Sequence, residues 1–182
     1  MDKKTKKMLM TTLLIIVFAG IVAGAYFGYK KLSGTRSPSG QGTIKNKGDY
    51  KNFTMTDVDG NEVKLSDFIG KPVIINFWAS WCPPCKAELP HFDKLAKEYK
   101  GQVHFLMVNV ESNNKDAVKN FVKNNGYTFP LYFDKNESGS NAYSVKSIPL
   151  TVFITADGKI GEKRLGAMSE AVLRDYIKQL LK

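Results

Sequence analysis

The 182-residue chain contains two cysteines, and both lie in the run Trp81-Cys82-Pro83-Pro84-Cys85. Two thiols at this spacing can close a disulfide, supply half of a metal site or sit as a redox-inert pair. A zinc site would need two further ligands. The histidines are His91, late in the helix expected after the pair, and His104, inside an expected strand. Metal binding is therefore the weaker use of these sulfurs, and a network of structural disulfides is excluded. If a strand ends into the pair and a helix begins on it, Cys82 sits at the helix N-terminus. The free N–H groups and positive dipole end there favour a thiolate. Cys82 is then the expected nucleophile. Cys85, one turn on, is the resolving thiol that closes the Cys82–Cys85 disulfide and moves two electrons. Pro83 and Pro84 suit a first helical turn but carry no N–H, so Cys82 loses two donors and its thiol pKa should fall only mildly.

The flanking sequence supplies that strand and helix. Val73 to Ala79 (VIINFWA) is nearly continuous in apolar residues, as in a central strand covered on both faces. From Pro83 to Tyr99 the residues Leu89, Phe92, Leu95, Ala96 and Tyr99 recur at helical spacing. Val103 to Val110 reads as a second buried strand, parallel to the first across the helix. Phe53 to Val58 and Glu62 to Leu65 form a hairpin about Asp59-Gly60. A helix is expected over 115–125 and a short strand over 129–133. A second hairpin is expected over 150–155 and 159–165, and a closing helix capped by Ser169. The fold class is α/β with a mixed central sheet flanked by helices.

The net charge of +10 is unevenly placed. Residues 1–50 hold nine Lys/Arg against two Asp, and residues 51–182 hold eighteen Lys/Arg against fifteen acids. The excess flanks an apolar segment, and no basic stripe interleaved with aromatics follows, so nucleic-acid binding is not expected. Residues 1–7 form a basic N-terminus expected to stay cytoplasmic. Residues 8–29 are 22 uncharged positions between lysines, long enough for a transmembrane anchor, since about 20 apolar residues span the hydrocarbon core. Ala23-Gly24-Ala25 also reads as a signal cleavage site, which would give a secreted protein in the same compartment. Residues 30–48, rich in Ser, Gly and Lys, read as a flexible linker, and 49–182 as the globular domain.

Residues 73–90 (VIINFWASWCPPCKAELP) resemble the active-site segment of the thioredoxin superfamily, in its TlpA/ResA-like branch of anchored extracytoplasmic oxidoreductases. The likeness covers about residues 50–182 and includes Lys86 and Pro90. It implies a thioredoxin fold with an N-terminal hairpin and, over 109–133, a central insertion. Ser147-Ile148-Pro149 matches the family's cis-proline loop, which makes Ile148 and Pro149 substrate-binding candidates. Trp81, beside an exposed Cys82, is a further one. Asn76 stands where thioredoxin has a buried aspartate, and no carboxylate lies between the cysteines. Glu88, one turn past Cys85, is the nearest acid. An exposed helix-surface position is its simpler reading, and proton transfer the other.

The resemblance implies reduction of disulfides in exported proteins, apocytochrome c being the substrate most associated with the branch. Electrons would come from an integral membrane donor of the CcdA/DsbD-like kind. No cofactor or metal is called for, and a monomer is expected. A disulfide-forming oxidase would use the same residues. A non-catalytic metal chaperone or binding module using the cysteine pair is the reading from another class.

Overall fold

The computed structural model describes residues 2, 16–18, 20–24, 42–111 and 113–182. The chain divides into two units, residues 1–40 and 41–182. In the first, residues 16–18 and 20–24 are helical, and Ile16, Val17, Phe18, Ile21 and Val22 are exposed. No helix of the described residues is long and apolar enough to cross a membrane. The rest of the expected anchor over 8–29, and residues 30–41 of the expected linker, lie outside the described residues.

The second unit is built on a seven-stranded mixed sheet among the described residues, in the order β2-β1-β5-β4-β3-β6-β7. Strands β1 (Thr54–Thr56) and β2 (Glu62–Lys64) form the leading antiparallel hairpin. β3 (Val73–Trp78) is parallel to β4 (His104–Asn109) and antiparallel to β6 (Leu150–Ile154). β5 (Leu131–Asp134) joins β4 in parallel and β1 antiparallel, and β7 (Ile160–Leu165) closes the other side on β6. The helices are α1 (Pro83–Glu98), α2 (Lys115–Asn124), α3 (Ser138–Tyr143) and α4 (Glu170–Leu180). The expected mixed sheet and thioredoxin-like order of elements are present.

Strand periodicity sorts the core into two layers. On β3, Ile74 and Trp78 face one side with Leu89, Phe92 and Leu173, while Val73, Ile75 and Phe77 face the other with Leu65 and Tyr143. All are fully or almost fully buried. Each such side chain is worth about 2 kcal/mol of transfer free energy. The same parity puts Asn76 on the α1 side, because side chains two apart share a face.

Two features differ from the sequence expectation. The short helix α3 was not anticipated. It is bracketed by non-glycine residues in the left-handed region, Asn136 (φ 51°), Glu137 (φ 57°) and Ser144 (φ 55°). The Asp134 carboxylate holds its first turn, accepting from the N–H groups of Gly139 and Ser140 at 2.7 and 2.8 Å. Residues 42–48, assigned to the linker from composition, run along the edge of β7. Lys45 and Lys47 donate their N–H groups to the carbonyls of Gly161 and Ile160, and the Ile160 N–H donates to Gly48. Gln179 of α4 accepts from the Ile44 N–H at 3.0 Å. The unpaired edge of β7 attracts this segment, because open strand groups need partners.

This strap should contribute to stability. A chain beginning at Gly42 is expected to be more stable by about 1–2 kcal/mol than one beginning at Lys51, roughly 3–8 °C in Tm. Equal melting temperatures in calorimetry would show that the strap adds nothing.

Candidate active site

β3 ends at Trp78, and the chain turns through Ala79, Ser80 and Trp81 into α1. The Cys82 N–H donates to the Ala79 carbonyl at 3.2 Å, and the Lys86 N–H to the Cys82 carbonyl at 3.1 Å. From the β4 end, the Glu111 carboxylate accepts from the Ser80 N–H at 2.5 Å. Asn109 accepts from the Glu111 N–H at 2.8 Å, so the turn is fastened to the neighbouring strand. Sequence reasoning did not single out Glu111, which contributes through a contact 31 residues distant.

Cys82 is the N-cap residue of α1, with Pro83 and Pro84 filling the first two helical positions. Cys82 and Cys85 form a disulfide, their Cα atoms 5.3 Å apart. The Cys85 N–H points at Cys82 Sγ at 3.3 Å, as a helix N-terminus arranges. With proline at both intervening positions, this is the first-turn N–H aimed at that sulfur. Cys85 is fully buried, and Cys82 is only 3% exposed, a narrower opening than the sequence reading of an exposed Cys82 assumed.

Ile148–Pro149 is a cis peptide. The register of β6 against β3 pairs Leu150 with Phe77, which carries the preceding loop across the end of β3. The Ile148 carbonyl oxygen therefore lies 3.8 Å from Cys82 Sγ. Trp81, 65% exposed, and Ile148 both line an open groove of about 740 Å³ continued by Ser144, Val145 and Lys146. The structure thus brings Trp81, Ile148 and Pro149 together around the sulfur pair.

Glu88 corrects the surface reading of that residue. It is 1% exposed, on the face of α1 turned to the sheet. Its Oε1 accepts from Asn76 Nδ2 at 2.8 Å and its Oε2 from the Met168 N–H at 2.9 Å. Asn76 Nδ2 also donates to Thr151 Oγ1 at 3.0 Å, from the residue that pairs with Asn76 across β3 and β6. Burial pushes the Glu88 carboxyl up to about 7, while the bonds from Met168 and Asn76 pull it down. The spacing held this signal. Cys85, Glu88, Leu89 and Phe92 follow one helical stripe, and residues three apart share a face. Thr151 and Met168 were missed because only tertiary contact brings them in.

Among the described residues, no group of three or more His, Cys, Asp or Glu could hold a metal ion. The arrangement offers a dithiol pair with one sulfur at the rim and the other inside, and a neutral-range carboxyl on the same helix face.

The chain is similar to known proteins in sequence and in fold. Residues 48–163 match the AhpC/TSA family. The chain is 35% identical over 178 residues to the thiol-disulfide oxidoreductase ResA of Bacillus subtilis, covering 97% of this chain and 94% of that protein. It is 31% identical over 181 residues to ResA of Geobacillus kaustophilus, covering 99% of each. Among solved structures, StoA from Bacillus subtilis aligns with a TM-score of 0.61 and 30% identity, over 69% of this chain and 96% of that one. The exposed lipoprotein thioredoxin Etrx1 of Streptococcus pneumoniae aligns at 0.63 and 32%, over 71% and 99%.

The buried carboxyl has a stability signature. Its ordinary value of 4.5 rises to about 7 on folding, so the folded state holds a proton that the unfolded chain releases between those values. The stability present below about 4.5 is lost as pH rises through 7, by about 3 kcal/mol from this group. Denaturant unfolding of the oxidised protein at pH 5 and pH 8 should show that loss in the wild type and not in Glu88→Gln. The same change in both chains would mean that Glu88 ionises normally.

Proposed function

The chain belongs to the AhpC/TSA family and is a thiol-disulfide oxidoreductase of the ResA type, and on that premise we propose that it is a membrane-tethered reductase of disulfides in exported proteins. The observation that carries this reading is the Cys82–Cys85 disulfide at the N-terminus of α1, beside the Ile148–Pro149 loop.

In the reduced protein, the Cys82 thiolate attacks one sulfur of a substrate disulfide. A mixed disulfide forms, and the first substrate sulfur leaves as a thiolate that takes a proton from water. Cys85 then gives its proton to Glu88, and its sulfur attacks Cys82 Sγ. The second substrate thiolate leaves, and the Cys82–Cys85 disulfide closes. Two electrons have passed to the substrate. Glu88 suits the proton step because burial holds its carboxyl near neutrality, where it can both take and return a proton. Trp81 and the Ile148 backbone border the groove that receives the substrate chain.

The prolines favour the reducing direction. A strongly stabilised thiolate makes a pair oxidising, because it favours the reduced form of the protein. Pro83 and Pro84 withhold two of the donors that would provide that stabilisation.

The uncharged run over 8–29 supports a retained anchor with the domain outside the cytoplasm. The exposed apolar residues between Ile16 and Val22 accord with it. The pneumococcal relative is itself described as an exposed lipoprotein. In that setting the protein acts as a monomer and is re-reduced by an integral membrane dithiol donor. Apocytochrome c, whose cysteines must be reduced before haem attachment, is the proposed substrate.

The midpoint potential separates the directions: a value near about −270 mV supports a reductase, and one near about −120 mV overturns it. A Cys85→Ser chain expressed in the native host should accumulate membrane-bound mixed disulfides through Cys82, with apocytochrome c identified among them by mass spectrometry. Adducts confined to cytoplasmic proteins would overturn the proposed compartment.

A further inference from the structure

Asn76 is fully buried at the centre of the sheet, and its hydrogen bonding is one-sided. Both hydrogens of Nδ2 are engaged, one by Glu88 Oε1 and the other by Thr151 Oγ1. Its Oδ1 has no partner. A buried acceptor without a donor is costly, by about 1–3 kcal/mol, and such groups are rare in native interiors. An apolar residue would remove that cost.

Rotating the amide by half a turn exchanges the two ends. Oδ1 would then face Glu88 and Thr151, and Nδ2 would be the unpartnered end. An ionised carboxylate only accepts and needs Nδ2. A protonated carboxyl keeps one accepting oxygen, and because Oε2 already accepts from the Met168 N–H, its proton is best carried on Oε1, where Oδ1 would accept it. The Thr151 hydroxyl both donates and accepts, so it satisfies either orientation. In each arrangement one end of the amide is paired and the other is not, so the count of hydrogen bonds favours neither. The proton on Glu88 decides.

We propose that Asn76 is a positioning residue for Glu88: its amide turns as the carboxyl gains or loses its proton, with the Thr151 hydroxyl as the pivot. A fixed donor would favour only the ionised form, and a fixed acceptor only the neutral one. The amide holds the carboxyl in the same place in both. This deepens the reading of Glu88 as the proton acceptor for Cys85 and rests on it.

The groups around Glu88 leave this task to Asn76 and Thr151. Met168 contributes a backbone N–H, a donor in both states. On α1, Lys86 and His91 are the neighbouring charged or titratable side chains besides Cys85. On β7, Arg164 stands opposite Thr151. None of these is among the causes of the carboxyl's displacement, which are burial, Met168 and Asn76.

The test is nuclear magnetic resonance on the full-length chain in detergent, labelled with ¹³C at glutamate Cδ and ¹⁵N at asparagine side chains. Titrating the oxidised protein, the Asn76 Nδ2 signals should shift with the midpoint of Glu88 Cδ, and that shift should vanish in Glu88→Gln. Asn76→Leu should raise the Glu88 midpoint by about one pH unit or more, a tenfold tighter hold on the proton, because one charge-assisted bond is lost. Thr151→Val should give a smaller rise, and Thr151→Ser should restore the wild-type midpoint. Asn76 signals that stay constant while Glu88 titrates would overturn the proposal, as would an unchanged midpoint in Thr151→Val, which serves if Asn76→Leu does not fold. The outcome is separable from the proton step to Cys85. If Glu88→Gln leaves disulfide reduction unaffected, that step fails, while the coupled titration still decides the role of Asn76.

Discussion

The carboxyl of Glu88 is held out of water between α1 and the sheet, with one donor for each oxygen and no opposite charge. Desolvation then dominates, since two neutral donors recover only part of what water provides to a carboxylate. A paired carboxylate at the same depth would stay ionised, and one without donors would stay neutral. Two modest donors leave this group near the midpoint between those states, where a proton moves at small cost. The geometry follows from ordinary regularities. Helical periodicity places Glu88 one turn beyond Cys85, and strand parity places Asn76 and Thr151 beneath it.

The two sulfurs live under different constraints although only two residues separate them. Cys82 caps α1 at the edge of the groove, where the helix terminus and the Cys85 N–H stabilise negative charge. Cys85 is enclosed with the aromatic and aliphatic side chains of the α1 layer, where a bare thiolate is disfavoured. The outer sulfur therefore sits where a partner can reach it, while the inner one is enclosed, and in the proposed mechanism it passes its proton to Glu88 as it reacts. The turn before Cys82, tied to β4 through Glu111, and the loop before β6 keep these environments in register.

Much of this was legible in the chain. VIINFW announced a central strand and the stripe through Leu89 and Phe92 announced α1, because local periodicity reports which face is buried. The Ile148–Pro149 loop was placed by family resemblance and is cis as expected. The burial of Glu88 was carried by its place on that α1 stripe, but its residue type argued the other way. Polarity alone assigns a glutamate to the surface, and its partners come from β3, β6 and the segment before α4. Helix α3 escaped for another reason: its ends need left-handed backbone at Asn136, Glu137 and Ser144, stabilised by Asp134 and not by glycine. Residues 42–48 looked like linker because their composition is polar, and what holds them is the open edge of β7 some 115 residues away.

The central claim is that Glu88 receives the proton of Cys85 when the mixed disulfide resolves. Its most direct test is the rate of that step from pH 5 to 9, measured by rapid mixing of the reduced protein with a small disulfide, acid quench and mass spectrometry of the adduct on Cys82. The account predicts a rate that rises through an inflexion near neutral pH as Glu88 ionises, and a Glu88→Gln chain that is slower and lacks that inflexion. Superimposable profiles for the two chains would contradict it.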